Sequence, residues 1–190
     1  MDSTRRHVAR RGSLALTLSR TALIALVTLW AGNALAQFTN KTIGFQAGYV
    51  GVNKSLMVAG GPVLGIESTL YLGDGFDLAF RVVAGIHQDQ ITDKNAVGVF
   101  PAIGFRYLFS EEDARPYLGL NIAYLRFFGA DSMANPNLVA LAPVAGFEYY
   151  FQSNTAFGIQ AEYQGILDIP NRGFKPTNAF AGVARILWGF

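Results

Sequence analysis

From residue 37 onward, apolar residues recur at every second place in eight runs: 41–52, 62–72, 75–87, 96–109, 116–127, 138–151, 155–166 and 178–190. A helix scatters such residues around its axis. A strand, whose side-chain period is 2, collects them on one face. In the third run Phe76, Leu78, Phe80, Val82 and Ile86 alternate with Asp77, Ala79, Arg81, Val83 and Gly85. In the seventh, Phe157, Ile159, Ala161 and Tyr163 alternate with Gly158, Gln160, Glu162 and Gln164. In the last, Phe180, Ala184, Ile186, Trp188 and Phe190 oppose Ala181, Val183, Arg185 and Gly189. Charge falls on the non-apolar face each time.

The connections alternate as regularly as the side chains. Asn53–Gly61, Gln88–Asn95, Phe128–Asn137 and Leu167–Thr177 are long; Gly73-Asp74, Ser110–Arg115 and Gln152–Asn154 are short and rich in turn-forming residues. Half of all residues (51%) are apolar, yet beyond residue 36 there is no uninterrupted apolar stretch of the roughly 18 or more that a transmembrane helix needs. Any membrane span must therefore be built of strands. Each run is long enough to cross a bilayer as a tilted strand, and short turns alternating with long loops are the habit of outer-membrane barrels. Backbone groups in hydrocarbon must all be paired within the protein, so such a sheet has to close on itself. The expected fold is all-β: an eight-stranded antiparallel up-and-down transmembrane barrel. Eight strands enclose a space that side chains fill, which argues against an open channel.

Residues 1–20 hold five arginines, residues 21–31 are an apolar run, and Ala34 and Ala36 flank Leu35 as a small-residue cleavage site before Gln37. These are the parts of a secretory signal peptide, and the apolar run is too short to span. The expected division is a signal peptide, 1–36, and a barrel, 37–190. Removing the leader leaves ten basic and twelve acidic residues, so the formal net charge of +2 becomes −2 and nucleic-acid binding loses its main support. There is no cysteine, hence no disulfide, thiolate metal site or Cys nucleophile.

By parity, Glu67, Asp77, Arg81, Arg106, Glu148, Glu162 and Arg185 point inward. Four acids against three arginines suit mutual pairing, since a buried charge is tolerated only when partnered and the guanidinium fork matches a carboxylate. They are expected to form a structural polar core, with a proton or ion relay as the sharper alternative. Inner-face glycines, among them Gly44, Gly48, Gly65, Gly104 and Gly146, leave room for these long side chains. Phe76, Tyr107, Phe109, Tyr117, Tyr149, Phe151, Trp188 and Phe190 gather near the short turns, as an interfacial girdle would. Pro101 and Pro143, which cannot donate to a ladder, are expected at bulges, and Arg126 falls on the lipid face unless its strand ends or bulges first.

With its leader, eight runs and terminal Trp188-Gly189-Phe190, the chain resembles the small outer-membrane barrels of the OmpA-type, OmpX and OmpW kind. The resemblance implies residence in the outer membrane after export through the periplasm, contact with outer-membrane lipid and lipopolysaccharide, and a monomer. It also implies that Ile186, Trp188 and Phe190 are read by the barrel assembly machinery. The glycine those families often carry a few places upstream is not matched where Arg185 stands. The peptidoglycan-binding domain that follows some such barrels is not implied.

Barrels of this size also include lipid A-modifying enzymes, which rely on a histidine with a serine or acid at the outer rim. His87, near Asp89 and Asp93, is the one histidine beyond the leader, but Ser55 and Ser132 lie on other loops. A solvated rim residue is the expected state of His87. Asp89, Asp93, Asp131 and Asp168 could bind divalent cations, although solvated loop charge is the simpler reading. No cofactor motif or metal-ligand cluster occurs. The expected role is non-enzymatic: structural, or binding through the outer loops. OmpW-like passage of small apolar molecules is the main rival, favoured by an apolar patch around Val50, Val52, Val83 and Leu125 and disfavoured by a lumen crossed by Arg–Glu pairs. A soluble lipocalin-like carrier would need the reverse distribution of charge.

Overall fold

A computed structural model describes residues 40–133, 135–167 and 177–190. The expected leader 1–36 with Ala34 and Ala36, and most of the last long loop including Asp168, lie outside the described residues. Eight strands follow one another: β1 (Lys41–Val52), β2 (Gly61–Gly73), β3 (Phe76–Gln88), β4 (Asn95–Leu108), β5 (Ala114–Phe128), β6 (Asn137–Gln152), β7 (Thr155–Leu167) and β8 (Thr177–Gly189). Every strand is antiparallel to its neighbours in sequence, and β1 pairs with β8 from Thr42↔Gly189 to Val52↔Ala179, closing the barrel. The expected runs match these strands to within two residues at either end.

Burial alternates residue by residue along each strand, and its sense is inverted relative to a soluble protein. Phe45, Leu64 and Phe180 face outward at 65%, 69% and 63% exposure, while Glu67, Arg106 and Arg185 lie inside at 2–3%. The β2–β3 turn runs through Gly73, Asp74 and Gly75, all at positive φ (110°, 51° and 79°), where glycine relieves the strain at both ends. Below, the turn end is the rim with the short connections, and the loop end is the opposite rim.

The prolines do not bulge their strands. Pro101 pairs in register with Val82, and Pro143 with Leu120, both facing outward. On their other sides the β4–β5 and β6–β7 ladders are interrupted at the proline and resume with the same offset. Each ring simply removes a donor where no bond is made. The register shifts lie elsewhere, at Tyr71/Gly73 and Tyr150/Gln152, where strands enter tight turns. β5 also runs unbroken through Arg126 to Phe128, so Arg126 keeps its outward parity and stands at the loop-end rim.

Of the expected girdle, Phe76, Tyr107, Phe109, Tyr149, Phe151, Trp188 and Phe190 face outward at the turn end, with Phe76–Tyr107 and Tyr107–Phe109 centroids 5.1 and 5.3 Å apart. Tyr117 does not belong to it. It shares parity with inward Gly119 and is buried in the lumen. A second outward aromatic band, not foreseen from the runs, includes Tyr49, Tyr124, Tyr163 and Phe180 nearer the loop end.

Candidate functional site

The lumen has an ionic half and an apolar half. Toward the turn end, Arg106 donates through Nη1 to Glu67 Oε1 and Glu148 Oε1 (3.1 Å each) and through Nη2 to Asp77 Oδ2 (2.7 Å). Arg185, from the opposite side of β1, donates to the same Glu67 (2.5 Å) and Glu148 (3.0 Å) oxygens. Closure of the barrel brings residues from β2, β3, β4, β6 and β8 to one level across the lumen, so two arginines bridge three carboxylates into a single network. Tyr117 sits beneath both guanidiniums, 4.7 and 5.0 Å from their carbons; its hydroxyl accepts from Arg185 and donates to Gln160 Oε1 (2.9 Å). Arg81 pairs with Glu162, which also accepts from Asn121 Nδ2 (3.1 Å) and Gln164 Nε2 (2.8 Å).

All seven inward charges expected from parity thus reach a partner of opposite sign. Asn121, Gln164 and Tyr117 were missed as members, although each shares inward parity with a charged or glycine neighbour two residues away. Their role emerges only once strands are wrapped against one another.

Toward the loop end the polar residues give way to an apolar cluster that includes Val50, Val63, Val83, Phe100, Leu125, Phe127, Leu138, Ile166 and Val183, with Val52 packed against it. Val58 from the β1–β2 connection and Ala130 from the β5–β6 connection are buried in the same cluster, so loop residues fold over the mouth. His87 is buried here rather than solvated. Its ring meets Phe100 and Phe127 edge-on, with centroids 5.6 and 5.4 Å away, and its Nδ1 lies 3.1 Å from the Ala59 carbonyl oxygen. A carbonyl only accepts, so Nδ1 carries the proton and Nε2 faces the apolar cluster. That is a packing role against a loop backbone, with neither serine nor carboxylate among the described residues in hydrogen-bond contact with the ring.

Asp89 is likewise not a solvated loop charge. Its Oδ1 accepts from the amides of Ile91 and Thr92, and its Oδ2 from the amide of Ser132, each at 3.0 Å. Ala59 N donates to Gln88 O (2.8 Å) and Gln90 N to Met57 O (2.9 Å), so the first three long connections are stitched together around this residue. Ser132, together with the Thr92 and Ile91 amides, holds the Asp89 carboxyl well below its ordinary 3.8. A depressed folded value stabilises the fold above the unfolded pKa and is lost as pH falls through the folded one. The stitch should therefore survive mild acid. Asp89→Ala strips three amides of their acceptor and should expose residues 89–94 and 129–133 to protease in an otherwise intact barrel. An unchanged digestion pattern would show that the lid does not depend on this carboxylate.

Asp93 and Asp131 are exposed, Asp131 lying 4.0 Å from Lys94. Among the described residues no group of three or more metal-ligating side chains converges.

No protein-family model and no curated protein matches the sequence. Solved structures do match in fold. Neisserial surface protein A superposes with a TM-score of 0.64 at 16% identity, covering 80% of this chain and 97% of the other. The outer-membrane protein OprG of Pseudomonas aeruginosa gives 0.56 at 17%, covering 80% and 97%. The N-terminal β-barrel domain of OprF from the same organism gives 0.55 at 16%, covering 80% and 98%. The chain has the eight-stranded fold of small outer-membrane barrels.

Proposed function

We propose that this chain is an integral outer-membrane protein without enzymatic activity, exported by its leader, whose barrel body is structural and whose loop end carries its specific binding. The observation behind this reading is the inverted burial: an apolar belt outside, paired ions inside. Lipid is the solvent that accepts such a belt, and only a closed sheet leaves no unpaired backbone within it. The complete ring of strand pairings also leaves no edge for a second copy, which supports a monomer. Ile186, Trp188 and Phe190 lie together on the outward face at the end of the closing strand, where the assembly machinery would meet them. Arg185, standing in place of the usual glycine, is committed to the lumen.

The test is electrophoresis of an outer-membrane fraction with and without boiling. A closed barrel resists SDS until heated, so two positions that merge on boiling are expected. A single unchanged band, with the protein in the soluble periplasm, would sink the proposal.

OmpW-like passage of small apolar molecules has one observation in its favour: Val50, Val52, Val83 and Leu125 do line one apolar compartment. That compartment is packed by Phe100, Phe127 and Val58, and the Arg106–Arg185 network lies across the lumen beyond it. A molecule entering it would have to leave sideways. Catalysis by His87 is disfavoured by a ring enclosed between two phenylalanines.

A further inference from the structure

The outward face of the barrel carries charge at two described strand positions: Lys41 at the turn end and Arg126 at the loop end. A guanidinium on a lipid-facing strand costs about 2–4 kcal/mol at the bilayer midplane and almost nothing at the interface. Arg126 stands two residues from the end of β5, where the outer-membrane reading puts the edge of the hydrocarbon. It does not hang free there. Nη1 donates to Asn137 Oδ1 of β6, and the guanidinium carbon lies 5.0 Å over the Phe128 ring. The Tyr124 hydroxyl donates to the same Asn137 oxygen at 2.6 Å. With that oxygen taken twice, Asn137 has only its amide nitrogen left to offer.

The group is thus one of donors. The carboxylates of Glu67, Asp77, Asp131, Glu148 and Glu162 are paired within 4.0 Å with Arg81, Lys94, Arg106 or Arg185, and none of them with Arg126. Nε and Nη2 of Arg126 have no protein acceptor among the described residues. A planar guanidinium fixed in orientation, with spare donors and a neighbouring amide N–H, suits a phosphate oxyanion held by two parallel hydrogen bonds. Tyr124 and Phe128 flank it on the same outward face at 42% and 50% exposure, where acyl chains would lie beside the phosphate.

We propose that Arg126 and Asn137, positioned by Tyr124 and Phe128, form a binding site for the phosphate of an outer-leaflet glycolipid, lipopolysaccharide. The assignment rests on the outer-membrane reading, which puts the long-loop rim in that leaflet. The ligand is a phosphomonoester on a sugar, approached from the membrane side.

The test uses protein purified in detergent from membranes of cells expressing the full chain, titrated with diphosphorylated lipid A and followed by native mass spectrometry. Arg126→Ala should weaken binding about tenfold, the loss of one charge-assisted pair. Arg126→Lys, which keeps the charge but not the fork, should fall between, and Asn137→Ala should weaken it less. Dephosphorylated lipid A should bind wild type and Arg126→Ala alike. Equal wild-type affinity for the phosphorylated and dephosphorylated forms, or full affinity in Arg126→Ala, overturns the site. Phosphatidylglycerol binding as tightly as lipid A, with the same sensitivity to Arg126, overturns the glycolipid assignment. Heat-modifiable migration of each sample separates the readings: a wild type without it defeats the outer-membrane proposal itself, whereas folded proteins indifferent to Arg126 defeat only this one. Should Arg126→Ala fail to fold, Arg126→Gln retains size and one donor pair and carries the same expectations.

Discussion

Arg185→Leu should destabilise the folded barrel by about 3–5 kcal/mol, the usual consequence of removing one partner of a buried ionic group. The guanidinium bridges Glu67 and Glu148 and supports the Tyr117 hydroxyl. Without it three carboxylates, at side-chain exposures of 2–6%, face Arg106 alone. Urea denaturation of the detergent-refolded protein would read the change as a shift in midpoint. The paired control is Arg81→Met with Glu162→Gln, which removes both charges and leaves an amide for Asn121 and Gln164; it should cost far less, because no uncompensated charge remains. Similar midpoints for Arg185→Leu and wild type would mean that the network contributes nothing to stability.

Gly48→Ala should be at least as damaging, though it adds a single methyl group. A Cβ at Gly48 would overlap the Gly182 carbonyl oxygen and come within 2.7 Å of Val183 Cα, both backbone atoms of the strand that closes the barrel. Overpacking ordinarily costs about 1–3 kcal/mol when side chains can yield. Here the β1–β8 seam itself must part, so loss of the SDS-resistant band is expected. Gly182→Ala, on the partner strand but with nothing within 4 Å of its added carbon, should leave that band in place. A heat-modifiable Gly48→Ala barrel of normal stability would show that the seam is looser than its geometry.

Both variants probe features whose legibility in the sequence differs. The inward direction of Arg185 follows from its alternation with Ile186 and Ala184; its partners do not, since Glu67 is 118 residues away in the chain. Gly48 reads as an inner-face glycine, but the carbonyl it faces belongs to a strand met only on closure. Tyr117 shows the same limit from the other side. Its type and position near a short turn suggest an interfacial aromatic, whereas parity with Gly119 puts it in the lumen. Parity wins because reversing one side chain would reverse its whole strand.

Local alternation was enough to define the eight strands, their order, the face each residue takes and the inversion of charge and apolar surface, because period and loop length are properties of neighbours in the chain. Only the closed structure decided which charges meet and that the lumen divides into ionic and apolar halves. It also decided that His87 and Asp89 are buried beneath folded-in loops and that Arg126 stands at the rim, bonded to Asn137. Those outcomes depend on the stagger between strands and on loop residues returning over the barrel mouth, and neither leaves a periodic trace in the sequence.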